Sequence, residues 1–563
     1  MSISGLKSKS TTLCWFTQTL LCISLLCLLV SPAVSHSAAS EQQIALELQK
    51  HLGCQPIDLV QLENNTPLLA SKDICLAIIY TKYDSTPLWV SSKGPSYKAR
   101  IIFEYLQDSE KHGLNPLIYQ VGEIRQLWNS KNATDLAKLD TLLTYNLVHY
   151  IHDISYGQLS PSVTNPQLFP EAGYRDFNPV FAIQQVRFAN NIKDYLEQLP
   201  PQHVHYTSLK NALEKYRIIA LQGGWPYLPE GLKIFPGNRD TRVAIVRERL
   251  KMTGELAQES NPPDPYRYDL ELRDAVIKFQ LRNGLKPDGV IGINTRGALN
   301  VTVDERIKTI RINLARWRWQ SHDLGSKYVL VNIAGYNLKA YRDMGQEQAL
   351  DIRVVVGKER HQTPVFSNII RQIDINPYWT IPTSIAKNEE LPKLRKDPGS
   401  LKQRNIRLYS SWNGNARELD STSIDWNSVS PGQMAGYRLR QDPGPKNPLG
   451  RIKFLFPNRY DVYLHDTSSP QLFNYTNRDF SHGCIRVSDP RALAYFLLED
   501  QHGDWNTERI DTAYDSNSRK VIQLSRPIPV HITYQTSWVD KDGTIHFNVD
   551  VYSRDKKLAN ALF

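Results

Sequence analysis

At 563 residues the chain is too long for one hydrophobic core and is expected to divide into roughly three domains. Hydrophobic residues at 41% and aromatics at 10% are ample for folded domains, so disorder is not the default expectation. The net charge of +10 suits an anionic surface, and equally an ordinary solvated one, but no basic run is dense enough for nucleic-acid binding.

In chain order, Lys7 and Lys9 precede an apolar stretch from Leu13 to Val30, followed by the small residues Ala33, Ser35 and Ala39. Residues 1–39 therefore read as a secretory signal peptide, with an uncleaved N-terminal membrane anchor as the competing reading. Either way the remainder leaves the cytoplasm. Cys14, Cys22 and Cys27 lie inside this segment, so Cys54, Cys75 and Cys484 remain. An oxidising compartment would let Cys54 pair with Cys75 and leave Cys484 as an odd thiol that needs a reason.

Residues 40–235 show apolar positions at three- and four-residue steps, the signature of a helical scaffold. Gly113 is expected to stop a helix begun near Ala99, and Gly157 one that includes Lys138. Trp89, Trp128 and Trp225 are expected to pack in the core or between domains. His149 and His152 lack a carboxylate or third ligand at suitable spacing, so no metal site is expected there.

A compact unit follows over residues 236–302. Phe279, Gln280, Gly284-Leu285, Asp288-Gly289, Ile291-Gly292, Thr295 and Leu299 together resemble the three-helix peptidoglycan-binding domain. Phe279, Leu285, Ile291 and Leu299 are expected to form its core. Gly289 and Gly292 should allow tight turns, and Asn294 or Thr295 should start the last helix.

Residues 303–563 open with a helix containing Asn313–Gln320 and then alternate β-branched runs with Gly and Pro, which predicts an antiparallel β-rich domain. Its first strand pair should turn at Ala334-Gly335. Between about residues 384 and 447 the pattern dissolves into charged, irregular sequence, too long for an ordinary connection and typical of a lid. A helix is expected after Cys484, and two strands at the end of the chain. The fold class is thus α+β and multidomain.

The chemistry concentrates between Tyr463 and Val487. His465 lies nineteen positions before Cys484, which sits in a Ser481-His482-Gly483-Cys484 turn. A thiol with an ordinary pKa of about 8.5 needs a base to act as a nucleophile at neutral pH. Backbone N–H groups at Gly483 and Cys484 could supply an oxyanion hole. Tyr463 should share the strand face of His465, whereas Asp466 should point to the other. His482 and Arg486 add positive potential.

The His-(18 residues)-Cys spacing within Ser-His-Gly-Cys-Ile-Arg-Val closely resembles the catalytic signature of the L,D-transpeptidases, which have the YkuD-like fold. The scaffold, the peptidoglycan-binding unit, Asn376-Pro377-Tyr378-Trp379 and Tyr463–Thr467 extend the resemblance to the large multidomain members of Gram-negative bacteria.

The resemblance implies a β-rich catalytic domain with a mobile capping insertion, peptidoglycan tetrapeptide stems as donor and acceptor, and a periplasmic location, with inner-membrane association through the N-terminus left open. It implies 3-3 crosslinks between diaminopimelate residues, formed through a Cys484 thioester with release of D-Ala, and acylation of the same cysteine by carbapenems. Cys484 would be the nucleophile, His465 the general base and Gly483 an oxyanion donor. Arg486, His482, Ser481, Tyr463 and Trp379 would contact substrate, with a lid contact or core packing as the competing readings for Trp379. No metal or cofactor is required. Hydrolysis of the thioester (L,D-carboxypeptidase), attachment or release of a wall-bound lipoprotein, and a non-enzymatic wall-binding scaffold are the competing readings. Peptidoglycan synthases and carboxypeptidases are the partner enzymes this chemistry suggests.

Overall fold

The computed structural model describes residues 39–52, 76–159, 161, 177–503 and 505–563. The N-terminal targeting segment and the expected Cys54–Cys75 pair lie outside the described residues. Among the described residues no helix is long and apolar enough to cross a membrane.

The N-terminal part is helical, as its periodicity predicts. The central helix Ala133–Tyr156 begins at Asn132, whose side chain accepts from the Thr134 N–H, and ends at Gly157 with φ +93°. A Cβ at Gly157 would stand 2.7 Å from the Trp319 indole nitrogen, so glycine is needed there for contact as well as for conformation. Asp140 on this helix is buried and accepts from the N–H groups of Leu88, Trp89 and Val90 and from the Tyr80 hydroxyl. That network holds Trp89 in the core.

The next unit has helices Arg242–Thr253, Leu270–Arg282 and Ile293–Asn300 around Phe279, Ile291 and Leu299. Leu285 departs from expectation: it is half-buried and outside this core, its place being taken by Tyr268 and Val276. Gly289 does adopt a positive φ of +68°, whereas Gly292 is extended and itself precedes the last helix, which starts at Ile293 rather than at Asn294 or Thr295. Gln280 ties the unit together, donating to Asp288, Val290 and Thr295 and accepting from the Gly289 N–H.

The C-terminal half is organised around nine strands: β1 Tyr328–Asn332, β2 Asn337–Arg342, β3 Glu347–Gly357, β4 Phe366–Ile375, β5 Ile452–Leu455, β6 Leu464–His465, β7 Asp479–Ser481, β8 Ile485–Val487 and β9 Lys520–Thr533. They are ordered β7-β3-β8-β6-β5-β4-β9-β1-β2, and β2 also pairs with β3, so the sheet closes on itself. Most pairs are antiparallel; β6–β8, β1–β9 and β3–β7 are parallel. One face of every strand in the ring supplies a common core that includes Val331, Ile373, Phe454, Leu464, Ile485 and Val530.

Two expectations for this half need correction. Residues expected to form a charged, irregular lid are a folded cap with its own four-stranded sheet: Trp379–Thr380, Arg438–Gln441, Ile406–Tyr409 and Glu418–Leu419. Its core contains Leu391, Leu394, Leu408, Trp426, Met434 and Leu439. Its strands are two to four residues long, too short to show alternation through the intervening charges. The chain also ends on a helix, Arg554–Leu562, after a short hairpin of Ser537–Val539 and Ile545–Phe547.

Candidate active site

The register of β5, β6 and β8 assembles the site. Leu464 pairs with Ile485 and His465 with Arg486 across the parallel β6–β8 ladder. Leu464, Ile485 and Val487 point into the core, so Tyr463, His465, Cys484 and Arg486 share the opposite face. Lys453 on β5 lies directly across from His465, and Asp374 on β4 directly across from Lys453, which extends the polar face over four strands.

His465 is buried, and its Nδ1 lies 2.5 Å from the Asp466 carbonyl oxygen. A carbonyl only accepts, so Nδ1 carries the proton and Nε2 keeps its lone pair. Sequence alone could not locate this partner, because the contact is to backbone. Burial, helped by Arg486, pushes the imidazole pKa down to about 3, so the ring is neutral at physiological pH. The Asp466 carboxylate is occupied elsewhere, accepting from the N–H groups of Arg451 and Thr467. Tyr463 packs edge-on to His465 with ring centroids 5.7 Å apart.

Cys484 is half-buried, with its Sγ 3.7 Å from the Asp461 carbonyl. Burial raises the thiol pKa, and the Tyr463 backbone and phenol, Lys453 and Arg486 oppose that rise. His465 therefore stands in the site as a neutral imidazole.

The turn beneath the thiol is held from both sides. The Ser481 hydroxyl donates to the Cys484 carbonyl at 2.6 Å and accepts from the Gly483 N–H at 3.1 Å. Gly483 has φ +116°, and its carbonyl accepts from Thr363 Oγ1 at 2.9 Å. Gly357 lies below; a Cβ there would meet the His361 carbonyl at 2.0 Å and the Gly483 Cα at 3.1 Å. The expectation for Gly483 is thereby altered: its N–H is already engaged by Ser481. The Cys484 N–H makes no hydrogen bond among the described residues and is the donor open to a ligand.

His482 points away from the thiol toward the cap. Its Nε2 lies 3.0 Å from the Glu389 carboxylate, and its ring packs against His361 at 5.1 Å. Trp379 does not join the Cys484 group; it packs on the cap's own core, with Gln441 as its strand partner. The neighbouring motif residues join the cap to the barrel. Asn376 donates to the Ala513 carbonyl, Asn447 donates to the Pro377 carbonyl, and Tyr378 lies between the guanidinium groups of Arg440 and Arg519. Sequence reasoning passed over Lys453, whose position follows from strand register and not from any local motif. Among the described residues no cluster of His, Cys, Asp or Glu has the makings of a metal site.

Three family models match the chain: a scaffold domain over residues 75–213, a "Putative peptidoglycan binding domain" over residues 239–299, and the YkuD L,D-transpeptidase catalytic domain over residues 326–508. A curated relative from Haemophilus influenzae, named "Putative L,D-transpeptidase", is 33% identical over 230 residues, which is 41% of this chain and 45% of the relative. The chain thus matches a little under half the length of that relative.

Two solved structures are also similar. The L,D-transpeptidase from Xylanimonas cellulosilytica is 16% identical, with 54% of this chain and 98% of that chain covered and a TM-score of 0.17. The L,D-transpeptidase from Mycobacterium smegmatis is 12% identical, with 37% of this chain and 58% of that chain covered and a TM-score of 0.18. Stretches that match the scaffold and peptidoglycan-binding models precede the strand ring beside Cys484, and residues 326–508 match the L,D-transpeptidase catalytic domain model.

Proposed function

We propose that the protein forms 3-3 crosslinks in peptidoglycan outside the cytoplasm. In this reading Cys484 attacks the amide carbonyl between diaminopimelate and the terminal D-Ala of a tetrapeptide stem. His465 Nε2 takes the thiol proton and returns it to the leaving amine, so the C–N bond breaks, D-Ala departs and a thioester remains. The side-chain amine of a second stem then attacks the thioester, giving its proton to His465, and the thiol is regenerated. General base help of this kind contributes roughly 10²–10⁴-fold.

The observation that carries the reading is the shared strand face. His465 is neutral, with a fixed tautomer and a free Nε2, and lies on the strand next to that of the only cysteine among the described residues. The Cys484 N–H is the oxyanion donor, a contact worth roughly 3–4 kcal/mol in such sites. Gly483 contributes the backbone conformation that exposes it. Arg486 and Tyr463 line the approach to the thiol, Ser481 braces the turn, and His482 acts through the cap. Trp379 is a cap-core residue in this reading and not a substrate contact.

The test is to incubate the full-length protein and Cys484→Ala with disaccharide tetrapeptide and follow the products by mass spectrometry. Dimers that have lost D-Ala, absent with the variant, are expected. Monomeric tripeptide alone would replace crosslinking by carboxypeptidase activity, and wall binding without turnover would replace it by a scaffold role.

A further inference from the structure

The face that carries Cys484 has more positive charge than its resident acids neutralise. Lys453 Nζ lies 3.7 Å from the centroid of the Tyr463 ring, on the strand directly across from His465. It is half-buried and makes no hydrogen bond or ion pair among the described residues. Arg486 likewise has no ion pair there, and its Nε is buried without a partner. Asp374 faces Lys453 from β4, but Arg519 holds that carboxylate through Nε at 2.9 Å and Nη2 at 2.7 Å. The other acid bearing on Lys453 is Asp461, whose side chain is exposed. Among the described residues, Lys453 and Arg486 are thus two partly buried cations near Cys484 that no carboxylate pairs, and a cation withdrawn from water is relieved by an anionic partner.

We propose that Lys453, with Arg486 beside it, forms a carboxylate subsite next to Cys484 that receives the free carboxylate of the residue leaving from the donor peptide. This rests on the reading of Cys484 as nucleophile. In such a donor the carboxylate of the terminal residue is separated from the attacked carbonyl only by the amide nitrogen and one carbon. An ammonium adjoining the thiol thus selects a stem that ends at the scissile residue and disfavours one that continues. Lys453 is a specificity residue in this account, and the Tyr463 ring below it fixes the height of the ammonium above the sheet.

The test needs no wall peptide. Alkylation of Cys484 in the full-length protein is measured with iodoacetate, which carries a carboxylate, and with iodoacetamide, which is neutral and otherwise alike. Lys453→Met, close in volume, is expected to lower the ratio of the two rates by about tenfold or more, the worth of one charge-assisted contact. Lys453→Arg should keep most of the ratio. Lys358→Met, at the residue whose backbone N–H donates to the Ser481 carbonyl, should leave it within about twofold, as a rim charge does.

With peptide, the wild-type protein should prefer a tetrapeptide acid over its C-terminal amide, and Lys453→Met should lose that preference. An unchanged reagent ratio in Lys453→Met, or an equal fall in Lys358→Met, overturns the subsite. Peptide turnover that persists in Cys484→Ala would overturn the functional reading instead, and the reagent ratio would still report on Lys453.

Discussion

Ser481 is small, yet in the proposed mechanism it determines how the Cys484 thiol is presented. Its one hydroxyl serves two backbone groups of the turn, the Gly483 N–H and the Cys484 carbonyl. Ser481→Ala leaves both unpaired in a buried place, at a cost of about 1–3 kcal/mol. It also frees the Gly483 N–H from its fixed direction. Turnover is expected to fall at least about tenfold with little change in KM, because the loss is in alignment of the Cys484 N–H with the developing oxyanion. Ser481→Thr, which keeps the hydroxyl, should restore most of it. Equal kcat in Ser481→Ala and wild type, measured alongside thermal unfolding, would show that the turn holds its shape without the hydroxyl.

At this scale the sequence was legible where chemistry and local order coincide. Cys484 and His465 stand out by residue type and spacing, and Ile485 and Val487 alternate with Cys484 and Arg486, so the face on which the thiol lies could be read. Lys453 could not, because which residue lies across from His465 depends on a β5–β6 register set by core packing.

Among the elements, the cap reaches the Cys484 turn through the contact of Glu389 with His482. Glu390 is buried inside it between Arg404 and Lys393, and the Arg404 pair is two-pronged at 2.6 and 3.0 Å. Those ion pairs are what made the segment read as irregular and charged. They hold a small core together instead of marking a loose loop. The cap joins the barrel by two adjacent strands, with Thr380 opposite Arg440 and Trp379 opposite Gln441, and the Ile381 N–H donates to the Leu439 carbonyl at 2.9 Å. The two ends lie side by side, so residues 383–437 can be replaced by a short Gly-Ser linker without stretching the barrel. The shortened protein is expected to keep a cooperative barrel transition and to react faster with iodoacetamide at Cys484, while peptide turnover is lost. Unchanged thiol reactivity would show that the cap leaves the sulfur equally open. His482, paired with Glu389, carries a contact from the Cys484 turn to the cap. This explains why it could be picked out from the motif and yet stand away from the sulfur.

For the whole molecule, the scaffold, the ring and the terminal hairpin are held by buried polar and aromatic groups that no local pattern reveals. Arg282 pairs with Glu255 and reaches Tyr216 and the Ile545 carbonyl, while Arg306 lies over Phe547 and donates to Asn283. A cluster of histidines sits in the same junction. His205 stacks on Trp317 with its Nε2 2.8 Å from the Tyr328 hydroxyl, His112 reaches the Tyr206 hydroxyl, and His531 reaches the Leu324 carbonyl.

Burial lowers the pKa of each of these rings and of His203, with Lys339 adding to the effect at His205 and Arg318 at His112; both His112 and His205 fall to about 3. An unfolded histidine titrates near 6.5, so between about pH 6.5 and 3 the unfolded chain binds more protons than the folded one. Stability from these groups is therefore complete above about pH 6.5 and is lost as the pH falls through that window. More than one ring contributes, so the unfolding free energy should drop by more than about 1.4 kcal/mol per pH unit between pH 6 and 5, above the range in which most carboxylates titrate. His205→Phe keeps the stacking on Trp317 and removes one titrating ring, so its stability should depend less steeply on pH over the same interval. Urea unfolding of the two proteins across that range measures both slopes. Equal slopes, or a wild-type slope below that of a single proton, would show that the junction histidines gain their protons without opening the contact between scaffold and ring.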